Sequence, residues 1–186
     1  MASGKRRGGL VTGAVVAAVV VLGVGLYWFQ PWKLWQDRAV NEALPTARSA
    51  PAASPSPGSA TTAAPAPSGP RTLAQGTLIS HEHSTTGTAK LIRLPDGSRT
   101  LRLEDLDTSN GPDLRVWLTD APVKEGAAGW RVFDDGKYVS LGKLKGNKGD
   151  QNYEIPADLN LAEYSSVTIW CDRFDVSFGA AELAGT

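Results

Sequence analysis

The chain has 186 residues with 19 basic and 19 acidic side chains, and this neutrality hides a division. Residues 1–70 set Lys5, Arg6, Arg7, Lys33, Arg38 and Arg48 against Asp37 and Glu42 only, a net +4, so residues 71–186 carry −4. A mildly acidic unit on a basic stalk lacks the phosphate-neutralising surface of a nucleic-acid binder, and its roughly 116 residues suffice for one core, not two.

Residues 1–9 form a basic N-terminus, expected to be cytoplasmic. Leu10 to Phe29 follows without a charge across twenty residues. At about 1.5 Å per residue such a helix crosses a hydrocarbon core about 30 Å thick. Lys5, Arg6 and Arg7 on one side, with Tyr27, Trp28, Trp32 and Trp35 on the other, predict a single pass with the N-terminus inside. The expected location is the plasma membrane, with the C-terminal part extracytoplasmic. A cleaved signal peptide is the rival reading. Its apolar run is shorter and ends in small residues, whereas bulky WFQPWKLWQDR follows here.

Residues 30–44 read as a juxtamembrane segment, with a short helical turn expected over Asp37 to Leu44. Residues 45–70 contain no apolar side chain larger than Ala, apart from the ring of Pro. Such a segment cannot offset the entropy of ordering, and its prolines favour extended polyproline II. A spacer, a plain domain boundary and an O-glycosylated stalk all fit that composition. As a spacer, it predicts that protease would release a folded domain by cutting between Ser54 and Pro67.

From Arg71 onward short alternating runs lie between turn residues. Strands are expected at 75–82, 87–94, 99–105, 113–119, 137–144, 151–155, 166–171 and 174–178, with a hairpin joining the first two. Leu114, Val116, Leu118, Val167, Ile169, Phe174, Val176 and Phe178 are the expected core. Eight strands with Gly and Pro punctuation predict an all-β fold over 71–186, a single antiparallel β-sandwich or jelly-roll-like domain.

Few residues offer chemistry. Cys171 is the sole cysteine, so it is an inert packed thiol, an intermolecular bond, or a reactive or metal-binding sulfur. Arg173, two residues on, could favour the thiolate. His81 and His83 are two apart, hence on one face of a strand, a spacing that can bind metal. With Cys171 they would resemble a two-His, one-Cys copper site, although Met1 is the only methionine. Trp117, Trp130 and Trp170 read as core aromatics or a groove. The Gly142–Gly149 stretch lacks a G-K-[ST] ending and reads as a solvated loop. No hydrolase pattern is present.

Several segments together carry a resemblance: Gly76-Thr77-Leu78, His83 with Gly87-Thr88-Ala89, Leu101 to Glu104, Gly111 to Leu118, Leu144 to Tyr153, Ile155-Pro156, Tyr164 to Cys171 and Phe174 to Gly179. The domain resembles the DM-thirteen family, extracytoplasmic modules proposed to transfer electrons. The resemblance implies a β-sandwich and a redox role centred on the family's characteristic cysteine, which falls on Cys171. Relatives pair the module with DOMON and b-type cytochrome domains; none is found here, so any redox partner is expected to be a separate protein. The expected function is therefore a membrane-tethered module that relays or senses redox state through Cys171, an accessory rather than a stand-alone enzyme, with its cofactor unknown. The alternative is a non-catalytic cell-surface binding or structural module with an inert, buried cysteine. The redox reading predicts a partly accessible thiol of lowered pKa at a strand end.

Overall fold

A computed structural model describes residues 3–45 and 69–186. Helix α1 (Ser3–Phe29) and a 3-10 turn (Pro31–Trp35) lead to β1 (Ala39–Asn41). The remaining strands are β2 (Arg71–Thr77), β3 (Ile79–Ser80), β4 (Thr85–Arg93), β5 (Arg99–Thr108), β6 (Leu114–Thr119), β7 (Tyr138–Lys143), β8 (Lys148–Ile155), β9 (Ser166–Cys171), β10 (Val176–Glu182) and β11 (Ala184–Gly185). One sheet has the order β1-β8-β5-β4-β2-β11 and the other β3-β10-β9-β6-β7. Every pairing is antiparallel except β1 on β8. The all-β, sandwich-like expectation holds.

The alternating pattern builds the core. Leu101 and Leu103 of β5, Leu114, Val116 and Leu118 of β6, and Val167 and Ile169 of β9 form one buried cluster between the sheets. Phe174 departs from expectation. It lies in the turn between β9 and β10, half-buried, and stacks on Phe29 at the end of α1 with ring centroids 5.7 Å apart. The expected 75–82 strand also divides. Its first part, β2, pairs with β4, while β3 crosses to pair with β10 in the other sheet.

Helix α1 is long and apolar enough to cross a membrane, and its outer surface is exposed. Its last turn meets the domain: Arg173 Nη1 donates to the Trp28 carbonyl at 2.7 Å, joining Gln30, whose side chain donates to the Tyr27 carbonyl, in capping the helix C-terminus.

The juxtamembrane segment is the main correction. Asp37 to Leu44 forms no helical turn, because Ala39–Asn41 is captured as a parallel edge strand of β8. Glu42 fastens it. Its carboxylate accepts from Lys145 Nζ at 2.8 and 2.9 Å and from the Asn152 backbone N–H at 2.8 Å. Arg102 Nη1 donates to the Glu42 carbonyl at 2.9 Å, and the Asn147 side chain holds Asp37 and the Arg38 N–H. Two glycines of the expected solvated loop make room. A Cβ on Gly146 would lie 2.3 Å from the Arg38 carbonyl oxygen, and one on Gly149, at φ +90, 2.3 Å from that of Val40. Burial pushes the Glu42 carboxyl up, but hydrogen bonds from Lys145 and Asn152 outweigh it and hold its pKa below the usual value.

Residues 46–68 of the expected tether lie outside the described residues. They connect β1 to β2, two strands of one sheet, so cutting between them leaves β1 still hydrogen-bonded to β8. Clipped protein should therefore run as one species on native gel filtration and as two bands after denaturation. Gly149→Ala should let the N-terminal fragment dissociate. Acid should do the same: a depressed Glu42 pKa contributes stability present above its unfolded value and lost as pH falls through the folded one.

Candidate functional site

The strand β9 sits between β10 and β6, so its backbone is paired on both edges. Alternation sends Val167, Ile169 and Cys171 into the sandwich and Ser166, Thr168 and Trp170 to the other face. All six are buried. The outer face is normally wet in an antiparallel sheet. Here the connection between β6 and β7 folds over it, and Phe133, Ala121, Val123 and Val132 pack on Trp117, Trp170 and Ala180 as a second apolar cluster.

Cys171 ends β9 with no exposed surface and forms part of the main core. Burial pushes its thiol up; backbone N–H groups of Arg173, Phe174 and Asp113 oppose that without cancelling it. The partly accessible, low-pKa thiol expected from the sequence is thus not what the fold provides. The position at a strand end is right, but desolvation wins over nearby dipoles. The Arg173 guanidinium does not serve the sulfur as expected, being engaged with the Trp28 carbonyl and ring, and only its backbone amide faces Cys171. Two open clefts of about 710 and 600 Å³ flank β1, and neither is lined by Cys171.

The histidine pair separates. The strand stops at Ser80, and residues 81–83 form a bend, so the same-face rule no longer applies. His81 stacks on Phe133 in the outer cluster, with centroids 5.6 Å apart. Its Nε2–H donates to the Lys124 carbonyl at 3.1 Å, leaving Nδ1 to accept from Ser177 Oγ at 2.7 Å. His83 lies on Phe178 of the inner core, 4.0 Å between centroids. No group of three or more His, Cys, Asp or Glu suited to a metal occurs among the described residues. Both His81 nitrogens are already used, and His81 lies against the outer cluster while Cys171 lies in the inner one.

Sequence reasoning missed an array beside Cys171. Trp170 stacks on Trp117 with centroids 5.0 Å apart, and Trp117 on Tyr138 at 4.2 Å with ring planes 10° apart. The signal was available: Trp117 is opposite Thr168, two residues from Trp170, which makes the indoles diagonal neighbours on one face.

Against known proteins, the family model described as "Electron transfer DM13" matches residues 77–183, more than half of the chain. No curated protein and no solved structure matches it.

Two outcomes test this geometry. Native Cys171 should resist a thiol reagent at neutral pH and react once denatured. Burial lowers the His81 pKa, so the unfolded chain binds its proton first. Stability is then full above about pH 6.5 and falls as pH drops from there towards the folded value. His81→Gln should flatten that slope in urea titrations while costing about 1–3 kcal/mol, since the ring's stack on Phe133 and its paired hydrogen bonds to Ser177 and the Lys124 carbonyl are lost.

Proposed function

Because the chain belongs to the electron transfer DM13 family, we propose that it is an electron-transfer module held at a membrane by α1, in which Cys171 gives up one electron at a time to a separate partner protein. The N-terminus faces the cytoplasm in this reading, and the β domain lies outside. The observation that carries the chemical part is the complete burial of Cys171 in a domain of this family. Thiol–disulfide exchange requires an attacking thiolate and access to sulfur. Cys171 has neither advantage: its pKa is raised and its surface is covered.

A one-electron step avoids both requirements. The S–H bond breaks, the electron goes to the partner's one-electron acceptor, and the proton goes to water at the adjoining turn, where Asp172 and Asp175 are exposed. Thiol and thiyl are both neutral, so no charge is left in the core, where an unpaired one costs several kcal/mol. Re-reduction reverses both transfers.

Burial also favours a second reading, in which Cys171 merely fills the core of a non-catalytic surface module. Film voltammetry separates them. The redox reading expects a signal in the wild type that Cys171→Ala abolishes while circular dichroism stays unchanged. Its midpoint should fall by about 59 mV per pH unit, one proton accompanying one electron. An identical trace from both proteins would establish the packing role.

A further inference from the structure

We propose that Trp170, Trp117 and Tyr138 form the path by which an electron moves between the Cys171 region and the protein surface, with Tyr138 as its exposed terminus. This deepens the one-electron reading of the same site and rests on it. Electron tunnelling weakens exponentially with the gap between donor and acceptor orbitals. Indole and phenol are also, after thiol, the side chains most readily oxidised by one electron. A stack of such rings in van der Waals contact is therefore a conducting route through the domain.

The geometry meets those conditions. Cys171 and Trp170 are consecutive, so one peptide unit links the sulfur on the inner face to the indole on the outer face. The Trp170–Trp117 centroid separation of 5.0 Å lies within the usual range of about 4.5–7 Å for aromatic pairs, and the Trp117–Tyr138 separation of 4.2 Å just below it. Exposure rises along the path from 1% at Trp170 and 4% at Trp117 to 45% at Tyr138. Of the three rings, water thus reaches Tyr138 most.

The protons follow from the same burial. A high-potential one-electron acceptor of the partner, of the ferryl-haem or photoexcited-flavin class, takes an electron from Tyr138 and is reduced. The phenolic O–H breaks, its proton goes to water, and a neutral tyrosyl radical remains. Trp117 then returns an electron to Tyr138, which takes back a proton from water. The Trp117 indole nitrogen is buried without a hydrogen-bond partner among the described residues, so its N–H proton stays. The resulting radical cation is a strong oxidant and draws an electron from Trp170. Cys171 refills Trp170, losing its S–H proton to water at the turn. The net change is one electron to the acceptor and one proton to solvent.

Flash photolysis of the full chain with ruthenium tris-bipyridine and an electron scavenger tests this. The Tyr138 radical is defined as the transient lost in Tyr138→Phe, a surface change that preserves the fold. In wild type this radical should decay quickly by internal refilling, and Trp117→Phe, which keeps a ring in place but cannot be oxidised, should lengthen its life by about tenfold or more. Trp170→Phe should do the same and replaces it if Trp117→Phe does not fold. Cys171→Ala lengthens it as well if Cys171 is the terminal donor. Lengthening by the Trp variants but not by Cys171→Ala supports the path and overturns the cysteine reading. Lengthening by Cys171→Ala alone overturns the path and keeps the cysteine. An unchanged lifetime in every variant, or no Tyr138 transient at all, overturns the path.

Discussion

The strand β9 has water on neither face, and most of what this domain can do follows from that constraint. A central strand of an antiparallel sheet usually carries one apolar and one wet face. Here Phe133 and its neighbours from the β6–β7 connection cover the second face, so every side chain of β9 must satisfy itself internally. Thr168 does so through Ser177 at 2.8 Å, and Ser177 through His81. Ser166 donates to the Ala121 carbonyl at 2.6 Å, holding the covering segment down. With its polar neighbours paired in this way, β9 places a neutral thiol on one side and an indole on the other, and the donor left unpaired in the stack, among the described residues, is the Trp117 N–H of β6.

A second constraint is the short route from helix to sheet. Only residues 30–38 separate α1 from β1, and the helix end is itself pinned by Arg173 and by the Phe29–Phe174 stack. The turn after Cys171 therefore faces the helix, and the domain is fixed to it at several points. Closing the connection from β1 to β2 costs little for its length, because loop-closure entropy grows only logarithmically. Glu42, with three charge-assisted contacts and a strand pairing beside it, is strong enough to offset that cost.

The sandwich was legible because alternation is a local signal: Leu114, Val116 and Leu118, or Val167 and Ile169, declare a face within six residues. The capture of β1 was not, since Ala39-Val40-Asn41 is too short for any period and its partner lies over a hundred residues away. Its trace was in Gly146 and Gly149, whose missing side chains meant a close backbone neighbour rather than a solvated loop. Cys171 was correctly placed on the inner face with Val167 and Ile169, yet its expected exposure failed. Local spacing sets Arg173 near the sulfur, but the Trp28 carbonyl, 145 positions away, sets where the guanidinium goes. The histidine pair failed for a related reason: a two-residue period holds only while the strand lasts, and β3 ends before His81.

Tyr138 joins the stack because of a backbone irregularity. The β6–β7 register runs Arg115 opposite Lys143 and Val116 opposite Gly142, then skips to Trp117 opposite Ser140. Leu141 is the extra residue of a bulge, beside Gly142 at φ +122. Without it, Trp117 would face Leu141, Thr119 would face Val139, and Tyr138 would point into the sandwich, because a one-residue slip turns every side chain over. With it, Leu141 packs against the main core and Tyr138 lies flat on Trp117. The phenol therefore sits at the solvent end of the indole stack through the bulge, not through regular alternation. One inserted residue in an edge strand thus decides whether the aromatic stack ends inside the protein or at its surface.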